Sequence, residues 1–126
     1  MPSNYNVAVE ASSAKGTSAA GATQVNRDCK GVVLSISKTA NSGTSPTVTI
    51  KVQGSANGTD WYDITGATTA AISANGVTTL TVCPGVPVTA NVSTSQPLPR
   101  LWRIYWTIGG SDTPTVTFSV DAAMIQ

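Results

Sequence analysis

Apolar and polar side chains alternate one for one over four stretches of this chain. In Gly31 to Lys38, Val32, Leu34 and Ile36 alternate with Val33, Ser35 and Ser37. In Thr47 to Gln53, Val48, Ile50 and Val52 alternate with Thr47, Thr49, Lys51 and Gln53. Arg100, Trp102, Ile104, Trp106 and Ile108 share one face of a third stretch, and Val116, Phe118 and Val120 one face of a fourth. A period of two is the signature of a strand with one buried face. A slip of one residue would turn each row to solvent, so Val48, Ile50, Val52, Val116, Phe118 and Val120 are all expected to point inward.

Two of these stretches nearly repeat one another. Gly43-Thr44-Ser45-Pro46-Thr47-Val48-Thr49-Ile50-Lys51-Val52 is matched by Ser111-Asp112-Thr113-Pro114-Thr115-Val116-Thr117-Phe118-Ser119-Val120, 68 residues further on. Proline supplies no ladder donor and restricts the residue before it, so each Pro marks the start of a strand. A strand-like segment precedes each copy, and turn-forming residues lie between. The pattern therefore predicts two hairpins of similar design. Weaker signals add Trp61 to Ile64 after the Asn57-Gly58 turn, a short edge strand over Ala70 to Ser73, and Val77 to Val82 after Asn75-Gly76. Val88 to Pro99 reads as an irregular connection. Seven or eight short strands at this spacing predict an all-β chain, a β-sandwich of immunoglobulin-like or jelly-roll topology.

Residues 1–26 have a different character. Tyr5, Val7 and Val9 fit a short strand, but Ala11 to Thr23 is a run of Ala, Ser, Gly and Thr, interrupted by one lysine, that cannot offset its own ordering entropy. This segment is expected to be an extended N-terminal arm, free or ordered on a neighbouring subunit, and 27–126 the folded domain. The third strand explains why an arm would be wanted. Its second face carries Leu101, Arg103 and Tyr105, more bulk than a solvent-facing side needs, so cover is expected from the N-terminal segment, a loop or another subunit.

Composition removes several function classes. Only 10% of the 126 residues are charged, the formal charge is +1, and neither sign forms a run, so no nucleic-acid footprint is expected. No apolar stretch approaches the ~20 residues that cross a bilayer, and the start lacks the pattern of a signal peptide, so the chain is expected to be soluble and not exported. Histidine is absent, which removes the usual general base and the commonest metal ligand. Cys29 and Cys83 are too few for a disulfide framework and are expected as unpaired, semi-buried hydrophobes. Asp60 and Asp63 flank Trp61-Tyr62, a pattern that suits a sugar or calcium loop; calcium needs 6 to 8 oxygen ligands, and turn-capping aspartates beside an inward Trp61 are the simpler reading. Arg100 and Arg103 beside large aromatics offer cation-π contacts or a patch for an acidic partner, or equally close the end of the sandwich by snorkelling. No cofactor, metal or catalytic residue is expected.

The run Gly31 to Ile36, the Gly43-Thr44-Ser45-Pro46 turn with Val48, Ile50 and Val52, and the segment from Gln53-Gly54-Ser55 to Asn57-Gly58-Thr59-Asp60-Trp61-Tyr62-Asp63 make a combination with Leu98-Pro99-Arg100-Leu101-Trp102-Arg103-Ile104. Together with Gly109-Gly110 before Pro114 to Phe118, it resembles small virion structural proteins of tailed bacteriophages, over roughly residues 27 to 125. The resemblance implies a structural role without an active site: most often a head decoration (cement) protein on the capsid surface, made in the host cytoplasm, with the major capsid protein and neighbouring copies of itself as partners. On that reading Tyr5, Val7, Val9, Leu101, Arg103 and Tyr105 are the interaction residues. The alternatives are a carbohydrate-binding or adhesion module, with Trp61, Tyr62 and Trp102 as platform, and a tail component.

Overall fold

A computed structural model describes residues 6–126 as an all-β chain, with no helix among them. Its strands are β1 (Asn6–Lys15), β2 (Ala19–Ala20), β3 (Gln24–Val25), β4 (Gly31–Ser55), β5 (Trp61–Thr68), β6 (Gly76–Val82), β7 (Ser93–Thr94) and β8 (Leu101–Ile125). They form one open mixed sheet in the order β1-β8-β4-β6-β7, with β2 and β3 on β8 and β5 on β4. Every pairing is antiparallel except β6 with β7.

The four alternating stretches are strands, but they do not make two hairpins. β4 and β8 are each 25 residues long and pair with each other along their whole length, Gly31 opposite Ile125 and Ser55 opposite Leu101. What the sequence presents as a hairpin turn is a corner at which this two-stranded ribbon bends. Register shifts fall between Lys38 and Ala40, Ser42 and Thr44, and Thr44 and Thr47, the added residues by which a bulged strand kinks. Positive φ angles cluster there too, at Ser45, Asp112 and Thr113 as well as at Gly43 and Gly110. At Gly43 a Cβ would lie 2.8 Å from the Pro114 Cα, and at Gly110 2.9 Å from the Thr44 carbonyl oxygen, so each strand's glycine admits the other's backbone. The Thr44 hydroxyl donates to Asp112 across the corner, and Ser42 bonds Thr115 at 2.6 Å. The sequence repeat has its explanation here. Both copies begin at the corner and form the second half of their strand, and antiparallel pairing sends them to opposite halves of the ribbon.

The bend brings the two halves together. Trp106 and Phe118 are twelve residues apart on β8, about 40 Å if the strand were straight, yet their rings meet edge to face at 5.7 Å. Val32, Leu34 and Ile36 from the first half of β4 and Val48, Ile50 and Val52 from the second belong to one apolar cluster with Val116, Phe118, Val120 and Ile104, all with zero exposure. The six inward residues expected from alternation are therefore inward, and Thr49 and Thr117 remain half-exposed. Lys38 closes the inward row of β4; it is 2% exposed, and its Nζ donates to Asn75 Oδ1 at 2.7 Å. Cys29 and Cys83 are both free and buried.

Residues 6–25 are not an extended arm here; Tyr5 lies outside the described residues. β1 pairs with β8 from Val116 to Ala123, Ala19 and Ala20 sit opposite Trp106 and Tyr105, and Gln24 and Val25 opposite Trp102 and Leu101. The segment follows β8 around its bend. Small residues bury little apolar surface, but the edge of β8 offers backbone partners, and backbone pairing does not depend on side-chain type. The Trp106 indole N–H donates to the Thr17 carbonyl at 3.0 Å and the Ile108 N–H to Ser18 Oγ at 2.9 Å. Lys15 is the anchor. Its Nζ lies 4.7 Å from the Phe118 ring centroid and 5.4 Å from that of Trp106, with Glu10 at 3.3 Å and Ser13 Oγ at 2.6 Å.

The surroundings of Lys15 give a pair of opposed expectations. Glu10→Gln leaves the ammonium, 8% exposed, without its counter-charge. A fully buried pair would lose ~3–5 kcal/mol on such a change. With Glu10 at 23% exposure, we expect a loss of about 1 to 3 kcal/mol in denaturant unfolding. The double variant Glu10→Gln/Lys15→Met, which keeps the packing and removes both charges, should come within ~1 kcal/mol of the wild type or exceed it; a larger loss would show that the ion pair itself holds the rings.

Candidate interaction surface

Alternation that sends Ile50, Val52, Ile104 and Trp106 to the core sends Lys51, Gln53, Arg103 and Tyr105 to the opposite face. The register then decides which of these meet: Lys51 stands opposite Tyr105 and Gln53 opposite Arg103 on β8, while β5 brings Asp63 opposite Gln53 and Trp61 opposite Ser55. The result is a continuous strip over β5, β4 and β8. The Arg103 guanidinium carbon lies 4.2 Å from the Trp61 ring centroid, and its Nε–H donates to Gln53 Oε1 at 2.8 Å. Gln53 Nε2 donates to Asp63 Oδ1 at 3.0 Å, Lys51 Nζ meets Asp63 Oδ2 at 3.0 Å, and the same Nζ is 5.3 Å from the Tyr105 ring centroid.

Trp61 is accordingly not an inward anchor but the floor beneath Arg103, half-buried by it. The turn that delivers it is capped by Asn57, whose Oδ1 accepts from the backbone N–H groups of Thr59 at 2.9 Å and Asp60 at 2.8 Å. Gly58 in that turn has φ +80°, a conformation that favours glycine. Asp60 does receive a bond from Asn57 Nδ2, but Asp63 caps no turn and instead links Gln53 to Lys51. The hydrogen bond from Gln53, and after it that from Lys51, hold the Asp63 carboxyl below its ordinary 3.8.

A depressed carboxyl contributes stability above its unfolded value that is lost as pH falls through the folded one. For Asp63 this window lies below pH 3.8, and the contribution is small because its side chain is 59% exposed. A carboxyl-carbon NMR titration should give a midpoint under 3.8 for the wild type, shifting upward in Gln53→Ala; an unmoved midpoint would deny Gln53 its part.

Of the six interaction residues expected from sequence, the structure brings Leu101, Arg103 and Tyr105 together on this face, each half-buried. β2 and β3 flank them, Ala20 opposite Tyr105 and Val25 opposite Leu101. Val7 and Val9 lie elsewhere, in the other half of the ribbon: Val7 stands opposite Ala122, and Val9 falls at the register shift between Ala8, opposite Asp121, and Glu10, opposite Val120. Val9 is 6% exposed within the apolar cluster and has no surface to offer a partner; Val7 packs partly against the same cluster. Trp61, Gln53, Lys51 and Asp63 are the members that sequence reasoning missed. The outward parity of Lys51 and Gln53 was legible, that of Trp61, expected inward, was not, and the meeting of all four depends on the register between β5, β4 and β8.

The aromatic residues divide. Trp102 is 1% exposed, and its indole N–H has no hydrogen-bond partner among the described residues. Tyr62 is 52% exposed. Among the described residues no three of His, Cys, Asp and Glu gather as a metal site, and no helix is long and apolar enough to cross a membrane. No protein-family model matches the chain, and no curated protein matches it.

Proposed function

We propose that this chain is a non-enzymatic virion structural protein that decorates and stabilises a phage capsid through protein–protein contacts, with the major capsid protein and neighbouring copies of itself as partners. In this reading the bent sheet is a two-layered β-sandwich, and the strip Trp61–Arg103–Gln53–Asp63–Lys51–Tyr105 is its docking face. The observation that carries the proposal is that strip. Arg, Trp and Tyr are the residues enriched at the centres of protein interfaces, and here they are fixed on rigid strands by cross-strand contacts before any partner arrives, which lowers the ordering cost of binding. Many copies on one shell need little affinity each, because contacts with neighbours add through avidity.

A carbohydrate-binding module is favoured by one observation, the open ring of Tyr62. It is disfavoured by Trp102, withdrawn into the core, and by Trp61, whose face is occupied by Arg103. Co-sedimentation with undecorated phage heads tests the main proposal. Saturable binding that Trp61→Ala and Tyr105→Ala both weaken is the expected result. Failure of the wild-type protein to sediment with heads would overturn it; sedimentation with isolated tails alone would assign the protein to the tail.

A further inference from the structure

The docking face contains one cation that the fold positions but does not neutralise. Two ion pairs occur among the described residues, Lys15 with Glu10 and Lys51 with Asp63. Arg103 has none, although Asp63 stands one strand away: the two carboxylate oxygens of Asp63 are taken by Gln53 Nε2 and Lys51 Nζ. Among the described residues the guanidinium makes one hydrogen bond, from Nε to Gln53, and its carbon lies over the Trp61 ring. Its terminal Nη groups keep their donors, in a side chain whose orientation is already set from two sides. Arg27 and Asp28 line a surface depression with Arg100, which lies just before the start of β8, and among the described residues neither arginine is in an ion pair.

We infer that Arg103 is a receptor for a carboxylate of the partner protein, an Asp or Glu side chain that docks edge-on against the Nη pair while Trp61 and Leu101 exclude water around it. A planar fork held on an aromatic ring matches a planar carboxylate through two parallel N–H···O bonds. Partial desolvation strengthens the pair relative to an exposed one, and the fixed rotamer removes much of the entropy that such pairs otherwise lose. This inference rests on the docking reading above for the identity of the partner as a protein, but its chemistry is testable without a capsid.

The test is an NMR titration of the full chain, reading the Arg103 Nε–H and Trp61 indole N–H signals. The probes are the peptide acetyl-Gly-Glu-Ser-Glu-Gly-amide, its Gln-for-Glu counterpart and inorganic phosphate. The Glu peptide should shift both signals saturably and the Gln peptide should not. Arg103→Lys, which keeps the charge but loses the fork, should weaken binding about tenfold, the loss of one charge-assisted hydrogen bond, with core amide signals unchanged. Equal response to the two peptides, no response to either, or undiminished binding by Arg103→Lys would overturn the inference. So would a response to phosphate with none to the Glu peptide, which would make the face a phosphate site. If the Glu peptide binds as expected but heads are not bound, the decoration reading alone falls. If heads are bound equally well by Arg103→Lys, the carboxylate inference alone falls.

Discussion

Phe118→Ala should lower the free energy of unfolding by about 3 to 5 kcal/mol, among the largest losses a single side chain of this protein can cause. Phe118 has zero exposure and sits where the bend folds β8 back over itself. Its ring meets the edge of Trp106 at 5.7 Å and lies 4.7 Å from the Lys15 ammonium. Three separate stretches of chain therefore lose a common neighbour: the two halves of β8 and the end of β1. An edge-to-face aromatic pair adds ~0.5–1.5 kcal/mol beyond its area, and the cavity cannot collapse easily when its walls are paired strands. A denaturant midpoint shift corresponding to less than ~2 kcal/mol would place Phe118 outside the structural centre. Thr117→Ala, one residue away on the outer face and half-exposed, should stay within about 0.5 kcal/mol of the wild type and serves as the control.

Deletion of residues 1–26 should be at least as damaging. β1 covers the edge of β8 from Val116 to Ala123, Val9 belongs to the apolar cluster, and Lys15 lies over the Trp106 and Phe118 rings. The truncated chain would leave a long strand with an unpaired edge, the usual template for association between chains. We expect a melting temperature lower by more than ~10 °C, with aggregation on heating. An unchanged melting temperature would mean that residues 6–25 contribute nothing to the fold and act only as an attachment device. The same deletion cannot by itself report on docking, because it disturbs the β8 register that places Leu101, Arg103 and Tyr105. Point substitutions on the outer face, such as Tyr105→Ala, separate the two effects.

Alternation along the chain determined the parity of the strands. Val32, Leu34, Ile36, Val48, Ile50 and Val52 inward, and Lys51, Gln53, Arg103 and Tyr105 outward, follow from a backbone that points successive side chains to opposite faces. That property is local, so each row could be assigned to a face without knowing its partner strand. The all-β class followed for the same reason, from composition and period together. What alternation cannot express is which strands pair. Gly43, Ser45, Pro46, Gly110, Asp112 and Pro114 carry the signature of a hairpin turn, but left-handed backbone and a missing donor are equally what a bulged corner needs. The choice between turning back and bending onward was made by the partner ribbon, through pairings such as Ile36 with Val120 and Ile50 with Trp106, between residues distant in sequence.

The N-terminal segment and the docking face were decided in the same way. Ala11 to Thr23 carries too little apolar surface to signal a strand, yet the free edge of β8 can order any backbone that supplies donors and acceptors in register. The sequence could mark Arg103 and Tyr105 as surplus bulk on an outward face. Only the tertiary register set Trp61 beneath Arg103 and directed Asp63 to Lys51 and Gln53, because electrostatic and aromatic contacts across a sheet depend on interstrand distance, which a one-dimensional pattern does not contain.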